Sequence, residues 1–95
     1  MVEASDTEIK KAMVSLAIEK SLKEFSDTVL EVVTNRLKQD YNAHLPDCYE
    51  HPEYLNRILK DLFGGAHLII TNSIQKHLKE SKNEKPIKEF LVKIR

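Results

Sequence analysis

The chain is poor in the residues that mark most specialised protein classes. One cysteine among 95 residues excludes an internal disulfide framework, so the fold must stand on apolar packing and a reducing, cytoplasmic setting is expected. Two glycines and three prolines leave little for long irregular loops or low-complexity linkers. Uninterrupted apolar runs such as Leu68 to Ile70 stop at three residues, far short of the roughly 20 a membrane span needs. The opening MVEASDTEIKK has no basic region followed by an apolar stretch, so no signal peptide is expected. Neither sign of charge is in excess, since 15 Lys/Arg meet 15 Asp/Glu. A dedicated nucleic-acid binder usually carries a clear positive surplus, because phosphate neutralisation supplies most of its affinity.

What is present is a helical pattern. Apolar residues make up 41% of the chain and charged residues 32%, in the range of one globular domain. Ser5-x-x-Glu8 is a capping-box pattern, and Ile9, Ala12, Met13, Leu16, Ala17, Leu22 and Phe25 then recur at helical spacing. Val14 and Ile18 widen that apolar face, which suggests contact with two neighbours or with another chain. Ser26, Asp27 and Thr28 are all good N-caps, Thr28-x-x-Glu31 is a second capping box, and Val29, Leu30, Val33, Leu37 and Tyr41 supply the next stripe. Asn42 suits a left-handed helix end, Pro52 a first helical position, and Gly64-Gly65 a chain reversal. Ile70, Ile74 and Leu78, then Ile87, Phe90, Leu91 and Ile94 behind Pro86, repeat the helical spacing. The expectation is an all-α fold, a compact single-domain bundle of about five short helices over 6–24, 27–41, 52–63, 66–80 and 86–94.

Charge is unevenly spread along this pattern. From Ala66 onward seven Lys/Arg face three Glu, whereas the first 65 residues hold eight basic and twelve acidic side chains. A basic face for an acidic partner is one consequence, and an ordinary solvated helix surface is the other.

The stretch HLPDCYEHPEY concentrates the candidate chemistry. His44, Cys48 and His51 are of metal-ligand type, with Asp47, Glu50 or His67 available to complete a set. Pro46 and Pro52 break the single helix that would align them, so helix starts, with Cys48 as a small buried hydrophobe, compete with the metal reading. Cys48 has no recognisable nucleophile signature around it, and Phe63-Gly64-Gly65 lacks the Lys-Ser/Thr of a phosphate-binding loop. The Gly turn followed by Thr71, Asn72, Gln75 and Lys76 resembles a DNA-reading arrangement, but Lys60 and Asp61 stand where a tight helix crossing wants a small apolar residue. His67 is expected to face solvent and His77 to lie partly buried on the apolar stripe. Tyr41, Tyr49 and Tyr54 either anchor a partner or cover the end of the bundle.

The run from Asp40 to Glu80 resembles a small archaeal helical domain of unknown function, the Nitrosopumilus output-domain type. The likeness rests on Asp40-Tyr41, Pro52-Glu53, the Leu59-x-x-Leu62-Phe63-Gly64 turn and the apolar helix from Ala66 to Leu78. That resemblance implies a helical module which in some proteins is attached to signalling domains, and it brings no catalytic residues with it. The function expected is therefore a non-enzymatic cytosolic interaction or regulatory module, with no cofactor and no small-molecule substrate. It would meet another protein, or its own copy, through Val14, Ile18 and Leu22 or through the basic Lys76, Lys79 and Lys82. A nucleic-acid-binding regulator using the 66–79 helix is the second expectation, and metal binding through His44, Cys48 and His51 the third.

Overall fold

A computed structural model describes residues 6–78 and 84–95. Among these, five α-helices and two short 3-10 turns follow one another, and no strand occurs. The helices are α1 (Asp6–Phe25), α2 (Asp27–Tyr41), α3 (Pro52–Phe63), α4 (His67–His77) and α5 (Lys85–Ile94). The 3-10 turns are Leu45–Tyr49 and Gly64–Ala66. The fold is all-α, as the 3.6-residue periodicity implies, and its Cα radius of gyration of 12.7 Å fits a chain folded around one core. Ser5, Lys79, Glu80 and Lys82, on which the first capping box, the end of the 66–80 segment and part of the basic cluster depend, lie outside the described residues.

Each junction follows from its local chemistry. Ser26 is extended and its Oγ accepts the Val29 amide at 3.0 Å, so α2 is capped two residues earlier than Thr28-x-x-Glu31 implied, and that pair falls inside the helix. Asn42 ends α2 with φ 51°, a left-handed conformation that lets its own amide reach the Lys38 carbonyl at 3.0 Å. Pro46 and Pro52 occupy first-turn positions, where the missing N–H costs nothing. At α5 the loose C-terminal carbonyls are met by a side chain: Asn56 donates to Ile94 O at 3.0 Å and to Arg95 O at 2.9 Å.

A single cluster of buried side chains fills the space between the helices, with Val14, Ile18, Leu22, Val33, Leu37, Leu55, Ile58, Leu59, Ile70, Ile74, Ile87, Phe90 and Ile94 at its centre. Helix α1 lies against α2, α4 and the 45–49 turn, and α3 against α2 and α5. This arrangement corrects the expectation for α1. Val14, Ile18 and Leu22 are 0% exposed, so they belong to the core and not to an outward face. The wide apolar face is used up by neighbours within the chain, while Ile9 and Leu16 point outward at 49% and 51% exposure. Two polar residues share the buried side: Ser21 returns its hydroxyl proton to Ala17 O at 2.8 Å, and Lys10 buries its stem with its ammonium 3.7 Å from Glu84.

Candidate functional site

The 44–54 segment does not assemble a metal site. Cys48 is fully buried against α1 and α3, and burial pushes its thiol up to about 12, with Asp47 and Glu53 adding to the shift. A thiol in that state remains protonated at neutral pH and is poor both as nucleophile and as metal ligand. His44 is exposed, and its backbone amide, not its ring, is held by Asp47 Oδ2 at 2.9 Å. His51 is exposed on another side, its Nδ1 3.2 Å from Glu53 Oε2. Glu50 is drawn to Lys11 at 3.0 Å. Among the described residues no group of three or more His, Cys, Asp or Glu is placed to hold a metal ion.

What the segment builds instead is an aromatic ladder. Tyr54, in the first turn of α3, stacks on Tyr41 at the end of α2 with centroids 4.0 Å apart and planes 8° from parallel. His51 stacks on Tyr54 at 4.6 Å and 10°. Tyr41 and Tyr54 border a groove of about 540 Å³ whose other walls include Asn56, Arg57 and Lys60. Its charges balance, Glu53 and Asp61 against Arg57 and Lys60, and beside it Arg36 bridges Asp40 at 3.0 Å and Asp61 at 3.2 Å and so ties α2 to α3. The ladder covers this edge of the core, with Tyr41 and Tyr54 half-buried, as is Tyr49 outside it. Sequence reasoning placed the tyrosines near one another but had no signal for the face-to-face pairing with His51.

Of the two further histidines, His67 departs from expectation. His67 is buried and not solvent-facing, because its Nδ1–H donates to Gly64 O at 2.9 Å and folds the ring under the α3–α4 turn. Its Nε2 is the buried side-chain atom left without a partner among the described residues. His77 has a partly buried side chain, 29% exposed, and turns its Nε2 to Glu24 Oε1 at 3.2 Å, the same oxygen that accepts from Ser73 Oγ at 2.7 Å. The Ser73 bond first, and the His77 bond second, hold the Glu24 carboxyl below the usual carboxylate range. Serine, histidine and glutamate thus meet, but the carboxylate lies between the other two and takes a bond from each. The ring nitrogen is spent on the acid and is not offered to the hydroxyl, so the trio clamps α1 to α4 and lacks the relay order of a nucleophile. Glu24 is some fifty positions from Ser73 and His77 in the chain, and no local pattern announces the meeting.

The proposed reading face of α4 is also reshaped. Asn72, Gln75 and Lys76 are exposed, whereas Thr71 is buried and donates to Leu68 O at 3.0 Å. Glu24 brings a carboxylate onto the same helix, where a phosphate would have to approach.

The outer face of α5 has a simpler character. Ile87, Phe90, Leu91 and Ile94 point into the core. Lys85, Lys88, Glu89, Val92 and Lys93 therefore line the opposite side, around a shallow groove of about 460 Å³. Val92 is 64% exposed at its centre. No ion pair involves any of the three lysines among the described residues.

Fold and surface together define an all-α helical protein whose described helices are none of them long and apolar enough to cross a membrane. Comparison with protein-family models, with curated proteins and with solved structures finds no match.

Proposed function

We propose that the chain is a non-enzymatic helical interaction module, of the regulatory output type that residues 40–80 resemble. It works by presenting its surface to another protein or to a second copy of itself. The observation that carries this reading is the set of large aliphatic side chains left in water on helices whose other faces are fully engaged. Ile69 on α4 is 58% exposed and Val92 on α5 is 64% exposed. Covering such groups gains roughly 25 cal/mol per Å² of apolar surface removed from water.

The test is site-directed photo-crosslinking in the full chain. A photoreactive side chain at Ile69 or Val92 should give discrete protein adducts in native extract or with a second copy. The same group at Lys38, exposed and polar on α2, should not. Absence of adducts from both apolar sites, together with a monomer in sedimentation at every concentration, counts against the reading.

A further inference from the structure

We infer that the outer face of α5 is a docking site for an acidic, amphipathic segment of a partner protein; this rests on the interaction reading above and specifies its partner. The argument begins with spacing. Positions 85, 88, 92 and 93 recur at intervals of three, four and one, so Lys85, Lys88, Val92 and Lys93 share one stripe directly opposite the buried Ile87, Phe90, Leu91 and Ile94. Because the inner face is committed to the core, α5 cannot turn its apolar side to a lipid surface without unfolding the domain.

The stripe carries three cations against one anion, Glu89, and none of the lysines is neutralised by an ion pair within the described residues. Glu84, next to Lys85 in the chain, is directed to Lys10 instead. Charge complementarity therefore calls for a negative partner. The floor of the groove decides between kinds of polyanion. It is made of Val92, 64% exposed, and lysine methylene stems. A nucleic acid would find no aromatic ring on which to stack a base among these residues, and no arginine fork for its phosphates. An acidic helix that carries a Leu or Ile among its carboxylates would satisfy both the rim and the floor.

The test measures fluorescence anisotropy of a labelled synthetic Glu/Leu amphipathic peptide with the full chain, at low and high ionic strength. Binding should weaken with salt, and an equally acidic peptide with Leu replaced by Ser should bind about fivefold less tightly or worse. Lys88→Glu combined with Lys93→Glu should reduce binding about tenfold or more, and Val92→Ser about fivefold, with circular dichroism unchanged because all three side chains are exposed. Lys38→Glu, on α2, should leave binding intact. The inference is overturned if the Glu/Leu peptide does not bind, if Val92→Ser has no effect, or if the Leu-free peptide or a DNA duplex binds as tightly. Crosslinks that persist at Ile69 while the α5 variants are silent would refute the acidic partner and leave the interaction reading standing.

Discussion

Replacing Ile18 with alanine is the sharpest perturbation of the packing described above, because helical spacing alone also allows this residue an outward face. Ile18 is 0% exposed between α1 and its neighbours. Its truncation removes three carbons, worth about 0.8 kcal/mol each in transfer free energy, and leaves part of their volume as a cavity. The expected loss is about 3–4 kcal/mol, out of a total that for a domain this size is about 5–15 kcal/mol. Near the melting temperature that corresponds to a drop of about 12–30 °C, at roughly 4–8 °C per kcal/mol. Leu16→Ala is the matched control: it lies two residues away on the same helix and is 51% exposed, so about 0.5–1 kcal/mol is expected. Urea unfolding followed by far-ultraviolet circular dichroism would report both, with unchanged slopes. Equal losses, or a larger loss for Leu16→Ala, would refute the assignment of the inner face of α1.

Other outcomes follow from single sites. Gly64→Ala should cost about 1–3 kcal/mol, since φ 57° with ψ −132° is strained for any residue with a Cβ even though open space surrounds it. Gly65→Ala, with no positive φ and no neighbour within 4 Å, should be neutral or stabilising by up to about 1 kcal/mol, and thermal melts compare the pair. Cys48 should resist a thiol reagent at mildly alkaline pH until the chain is unfolded by denaturant; rapid labelling of the native protein would contradict its burial. Glu24, held below the usual carboxylate range, contributes stability that is present above its unfolded value and is lost as pH falls through its lowered folded value. Melting curves from neutral to acid pH should therefore show wild type converging on Glu24→Gln as acidity rises. A constant gap would mean the clamp with Ser73 and His77 does not form in solution.

Helix identity and most boundaries were legible because the signals are local. Pro52, Pro86, Asn42 and Gly64 mark ends by fixed dihedral preferences, and the stripes of α3 and α5 alternate cleanly with charge. The rotation of α1 was not legible from the same rule. Ile9, Ala12, Met13 and Leu16 form as good an apolar series as Val14, Ala17, Ile18 and Leu22, and the inner series is further disguised by Lys10 and Ser21, which are buried with their polar atoms satisfied. Only tertiary contact chooses between two such stripes. The site divides in the same way. Cys48 as a packing residue and the basic surplus of the C-terminal third can be read from the sequence, though that reading centres on Lys76, Lys79 and Lys82 and not on the stripe of α5, whereas the Tyr41–Tyr54–His51 ladder and the Glu24 clamp join residues from different helices. His67 breaks the rule that a helix start faces water, because a bond back to Gly64 folds the ring inward.

The most direct measurement is amide chemical-shift mapping of the full chain titrated with the Glu/Leu peptide. Shifts concentrated on Lys85, Lys88, Val92 and Lys93, and reaching saturation only at about fivefold higher peptide concentration in the Val92→Ser variant, are the result this account expects. Shifts centred on His44 and His51, or on Asn72 and Gln75 of α4, or no shifts at all, would contradict it.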